Sequence, residues 1–124
     1  MTFKIMAFLV KRNDVTYDEL IEHYENVHVP LILSLAPPPL TYKRNFVVRD
    51  SAASRDEVDI ITELVFFDRH AYEGWVAAMY AADSGVADDE ARFLDRSKTR
   101  SYFVEEHSAG GLGNPGPVSP LARI

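Results

Sequence analysis

A histidine turned into an apolar interior, with a carboxylate to hold it, can move a proton without a cofactor, and His28 and Asp89 offer that pairing. If a helix starts near Thr16, then Leu20, Tyr24, Val27, His28 and Leu31 share one stripe at helical spacing, so the His28 ring points inward. His23, five residues away and level with Glu19 and Asn26, is expected to face water. Within Asp88-Asp89-Glu90 successive side chains are about 100° apart on a helix, and Asp89 alone shares a stripe with Val86 and Phe93. Asp88 stands four residues before Arg92, the spacing of a solvated helix pair worth about 0.2 to 0.5 kcal/mol. An inward imidazole and an inward carboxylate are each costly to bury alone, and a hydrogen bond between them would satisfy both. Two plainer roles stay open: His28 as a core residue bonded to a carbonyl freed near Pro30, and Asp89 as a cap of its own short helix.

Four further residues are candidate substrate contacts. Tyr24 lies on the inner stripe with His28, and Tyr42 and Arg44 share a strand parity with Phe46, so the Tyr42 phenol could donate to a substrate oxygen or simply pack. Thr62 and Glu63 fall on opposite faces of one strand; Glu63 either reaches the cavity or pairs with Arg44 across a hairpin. Trp75, Met79 and Tyr80 read as core, and His70 and His107 as exposed. No metal site is expected, because His23 and His28 are five apart rather than four and no other ligand cluster is near. Nucleotide loops, a serine elbow and a cofactor lysine pattern are lacking, so no cofactor is expected.

The elements that must position these residues follow from pattern. Phe3 to Lys11 is strand-like, and Asn13-Asp14 supplies a turn. Thr16 with Glu19 is a capping box that starts the first helix, Pro30 should bend it just beyond His28, and Pro37-Pro38-Pro39 ends it. Leu40 to Arg49 and Val58 to Phe67 read as a strand pair joined by a polar loop. Ala71 to Ala82 repeats at helical spacing, with Gly74 costing about 1 kcal/mol relative to alanine. A short helix over Ala87 to Arg96 and a strand over Thr99 to Glu106 complete the run. From Ser108 glycine and proline dominate, so the chain divides into a domain over 1–107 and a tail over 108–124.

The order strand, helix, strand, strand, helix, strand predicts an α+β fold of the ferredoxin-like, βαββαβ plan. All four strands are apolar on both parities (Ile5 and Met6, Phe46 and Val47, Leu64 and Val65, Phe103 and Val104), so the sheet face away from the helices also needs a cover. A second copy is the economical cover and gives a dimeric α+β barrel. The 124 residues suffice for one core, and cysteine is absent, which fits a reducing cytoplasm. A net charge of −6 with 13 scattered basic residues argues against nucleic acid, and the apolar run from Phe3 to Val10 is too short to span a membrane.

The segments KIMAFLVKRND, TYDELIEHYENVHVPL, TELVFFD and DDEARFLDRSKTRSYFVEE resemble the EthD-like proteins of the dimeric α+β barrel superfamily over most of Lys4 to Glu106. The resemblance implies a ferredoxin-like protomer, a homodimer, and a small pocket for an apolar or aromatic compound without a tightly held cofactor. Relatives include ring-forming, dehydrating and isomerising enzymes of polyketide and aromatic catabolism, and a protein tied to ether degradation. The expectation is a cofactor-independent lyase or isomerase in which His28 moves a proton, Asp89 orients the ring and Tyr42 holds a developing oxyanion. A non-catalytic small-molecule-binding or accessory protein, and a cofactor-free oxygenase, are the alternatives.

Overall fold

The computed structural model describes residues 2–48 and 58–110. Four strands, β1 (Phe3–Leu9), β2 (Thr41–Phe46), β3 (Ile60–Phe66) and β4 (Arg100–Val104), form one antiparallel sheet in the order β2-β3-β1-β4. Helices α1 (Tyr17–His23), α2 (Val29–Leu35), α3 (Arg69–Met79) and α4 (Val86–Phe93) connect them. This is the ferredoxin-like α+β plan. The loop expected over Asp50 to Glu57 lies outside the described residues, as does most of the expected tail from Ser108 onward.

Strand alternation decides which side chains meet the helices. Ile5, Leu9, Ile60, Leu64 and Phe66 are buried on one face, against Leu20, Tyr24 and Val29 from the first helical segment and Phe93 from α4, with Tyr72 and Trp75 of α3 covering the far end. Ile32, Met79 and Val86 close the space between α2, α3 and α4. The opposite face carries Met6 and Phe8 of β1, Ile61 and Val65 of β3, and Tyr102 and Val104 of β4. On β2 that face is Thr41, Lys43 and Asn45, so the expected apolar second face is confined to three strands.

The helix from Tyr17 departs from expectation in an informative way. Its start is as the sequence predicts: Thr16 Oγ1 accepts from the Glu19 amide and the Glu19 carboxylate accepts from the Thr16 amide. Around Pro30 the helix changes period: Tyr24–His28 forms a π-helical turn, with the Val29 amide donating to the Tyr24 carbonyl, and α2 continues with Pro30 in its first turn. An α-helical turn here would press the proline ring against the carbonyl four residues back, and the wider turn accommodates it. The change of period turns Val27 outward, 46% exposed rather than on the inner stripe. The later boundaries are shorter than the patterns suggest, with α3 ending at Met79 and Tyr80 half-exposed rather than in the core.

Candidate functional site

Asp89 reaches the interior from α4, whose first residue follows Gly85 at φ +84, a left-handed conformation that side-chain-bearing residues rarely adopt. Val86, Asp89 and Phe93 form the buried stripe of that helix. Asp89 Oδ2 lies 2.8 Å from His28 Nδ1, and both side chains are almost fully buried. The expected pair is thus in contact, and a second histidine joins it. His23 Nε2 lies 2.8 Å from Asp89 Oδ1, so His23 faces the carboxylate rather than water, with about a quarter of its side chain still exposed.

The π-turn explains the error. Five residues span about 140° of net rotation in an α-helix, which would put His23 and His28 on different sides. In a π-turn residue i+5 sits roughly one turn above residue i, and both imidazoles come round to one carboxylate. Phe93 packs against His23, His28 and Tyr24 at ring-centroid distances of 4.8, 5.1 and 5.7 Å, filling the space between them. Arg92, expected beside Asp88, instead has Nη1 3.9 Å from Asp89 Oδ1, on a largely exposed side chain.

A carboxylate only accepts, so each ring donates one N–H to Asp89. In the neutral His28 ring the proton then sits on Nδ1 and the lone pair on Nε2. Among the described residues that second nitrogen has no hydrogen-bond partner, and the buried polar atom without one is Trp75 Nε1 instead. His28 lines a cavity of about 320 Å³ between the sheet and the helices. Its walls are mainly apolar and aromatic, including Ile5, Leu64, Ile32, Trp75 and Met79.

Three hydroxyls converge beside the imidazole. Tyr24 stacks on His28 at 5.1 Å, and its hydroxyl lies 3.3 Å from Thr62 Oγ1 and 3.5 Å from the Tyr42 hydroxyl. Burial pushes both the Tyr24 and the Tyr42 phenol above the usual tyrosine range, with Tyr24 adding to the shift of Tyr42. Both stay protonated at any working pH and can donate. Tyr24, Tyr42 and Thr62 all line the cavity. Thr62 is the functional candidate that the sequence reading passed over; its parity with Ile60 and Leu64 carried the signal.

Two expected contacts do not reach the cavity. Glu63 lies on the opposite sheet face, where its carboxylate is 3.5 Å from Lys4 Nζ, so it neither enters the cavity nor pairs with Arg44. Arg44 forms a two-pronged pair with Glu25 at 3.0 and 2.6 Å and lays its guanidinium over the Tyr42 ring at 5.0 Å. It supports Tyr42 from behind rather than touching the cavity. At the mouth, Tyr80 donates to Glu90 at 2.9 Å, beside Arg96 and Ser101. Among the described residues no group of three or more His, Asp or Glu could hold a metal ion, and no helix is long and apolar enough to cross a membrane.

The fold and the enclosed cavity define a ferredoxin-like α+β domain with a buried polar cluster in an apolar pocket. A model of the EthD domain matches residues 12–97, and the chain belongs to that family. An EthD family protein of Bacillus halodurans shares the fold with a TM-score of 0.62 at 22% identity, covering 86% of this chain and 100% of that one. A protein of Arabidopsis thaliana does so at 0.61 and 15% identity, over 86% and 97%. The hydroxynitrile lyase of Passiflora edulis follows at 0.50 and 12% identity, over 87% and 97%. No curated protein matches the sequence.

Proposed function

We propose that this protein is a cofactor-independent lyase or isomerase, of the dehydratase or cyclase type, acting on a small apolar or aromatic carbonyl compound of polyketide or catabolic origin. The observation that supports it most is the buried His28 ring, tied through Nδ1 to Asp89 and lining the cavity, which leaves Nε2 as the nitrogen to meet a substrate. In this reading Nε2 takes a proton from the carbon beside a substrate carbonyl, and the bonding pair moves onto the carbonyl oxygen as an enolate. Tyr42 or Tyr24 donates to that oxygen. His28 then returns the proton to another carbon, giving an isomer, or to a departing oxygen, giving an alkene and water. Asp89 holds the ring in the tautomer the first step requires. The cavity volume is at the small end of ligand sites, which suits a mono- or bicyclic compound.

The hydroxynitrile lyase of Passiflora edulis has the same fold, and that kinship selects no reaction for this chain. The reading also includes a homodimer closed through the outer faces of the two sheets, because Met6, Phe8, Ile61, Val65, Tyr102 and Val104 share that face around the Lys4–Glu63 pair, with Tyr102 55% exposed. Lack of cysteine accords with a cytoplasmic setting.

The test needs no natural substrate. Aryl ketones such as 1-tetralone, incubated with the protein in D₂O, should gain deuterium next to the carbonyl at a protein-dependent rate that His28→Ala abolishes. If a panel of such ketones binds, by thermal shift, yet none exchanges above the background of the His28→Ala variant, the protein is a binding module rather than a proton-transfer enzyme.

A further inference from the structure

We infer that His23 is a positioning residue for this site: its Nε2–H fixes Asp89 Oδ1 and so aims Oδ2 at His28 Nδ1. The inference rests on the reading of His28 as the proton-moving group. A carboxylate on its terminal torsion has a broad, roughly two-fold energy profile, so one hydrogen bond leaves it free to rock. A second donor on the other oxygen removes that freedom. Among the described residues His23 Nε2, at 2.8 Å, is the group within hydrogen-bond distance of Oδ1, since Arg92 Nη1 stands off at 3.9 Å on a side chain 70% exposed. The Asp89 amide is engaged with the Gly85 carbonyl and offers nothing to the carboxylate.

His23 is itself held. It is the last residue of α1, at the start of the π-turn, and its ring lies against Phe93 at 4.8 Å. His23 stands nearest the surface, with 26% of its side chain exposed, while Asp89 and His28 are both buried at 5% and 6%. The outer histidine meets water directly, while the inner one meets the cavity. A donor at the outer end therefore orients the inner ring without occupying any of the cavity.

Ring ¹⁵N NMR of His28, at a pH where both imidazoles are neutral, tests this in the free protein. The wild type should show one tautomer, protonated on Nδ1. His23→Phe keeps an aromatic ring against Phe93 but has no donor, and it should show loss of the single-tautomer pattern and faster exchange of the Nδ1 proton. His23→Gln loses the ring but keeps an N–H in reach, and it should restore the wild-type pattern. An unchanged His28 spectrum in His23→Phe overturns the inference and marks His23 as packing alone, and loss of the pattern in both variants overturns it as well, because a donor in reach then fails to restore it. The underlying reading fails differently: there Asp89→Asn also leaves the His28 spectrum as it was, or deuterium wash-in survives His28→Ala.

Discussion

Asp89 bonds two imidazoles through one buried carboxylate, and that arithmetic sets what each replacement does. Alanine leaves two N–H donors without an acceptor, and the one on fully enclosed His28 alone costs about 1 to 3 kcal/mol. Asparagine keeps the shape but offers one acceptor and one donor, so one ring must move its proton to the other nitrogen to accept from the amide. We expect Asp89→Ala to lose that much stability in urea unfolding, with Asp89→Asn losing less while its deuterium wash-in falls sharply. Equal stability of Asp89→Ala and wild type would show that the three side chains do not act as a bonded unit. The inward placement of His28 and Asp89 was legible because each shared a stripe with apolar residues. His23 was not, because the reading assumed an unbroken α-helical period. Glu63 was misplaced for another reason: a lone carboxylate in an apolar strand drew notice, while its parity put it opposite Thr62, on the face where Lys4 waits.

At the scale of elements, the π-turn at Tyr24–His28 is what lets residues five apart share a partner. Pro30 lacks the amide that an α-helix would use to bond the Asn26 carbonyl. Pro30→Ala restores that donor, and we expect the segment to shift toward continuous α-helix and His23 to swing off Asp89. Backbone ¹³C shifts over residues 24–28, with loss of the bonded His23 ring signal, would report it; unchanged shifts would place the cause in tertiary packing instead. The helix start is a separate device with its own pH dependence. Donation from the Thr16 amide holds the Glu19 carboxyl below its ordinary range. A carboxyl depressed in the folded state contributes stability above its unfolded value and loses it as pH falls through the folded value. Glu19→Ala should therefore be less stable than wild type in urea at neutral pH, the gap closing on acidification. The capping box was visible as two residue types at fixed spacing. A π-turn has no comparable local signature, since a proline in a helical pattern reads equally as a bend.

For the molecule as a whole, element order alone pointed to the ferredoxin-like sheet, because a βαββαβ run in a short chain has few other ways to bury its strands. The outer sheet face was legible only in part. Strand parity identified Met6, Val65 and Val104, whereas β2, where Val47 was expected on that face, ends at Phe46 and is polar there. We expect light scattering at micromolar concentration to give twice the chain mass, and Phe8→Glu, which puts a charge in the middle of that face beside Tyr102, to give the single-chain mass with the fold intact. A wild-type monomer would overturn the barrel. One feature of the cavity has a practical use. Trp75 is the sole tryptophan of the chain and stands in the cavity wall, its indole tilted against Phe66 at 5.4 Å. Indole emission from the unlabelled protein, excited beyond the tyrosine absorption band, thus comes from one place, the one where a guest would sit, so compound collections can be titrated by colour shift and quenching before any turnover assay exists.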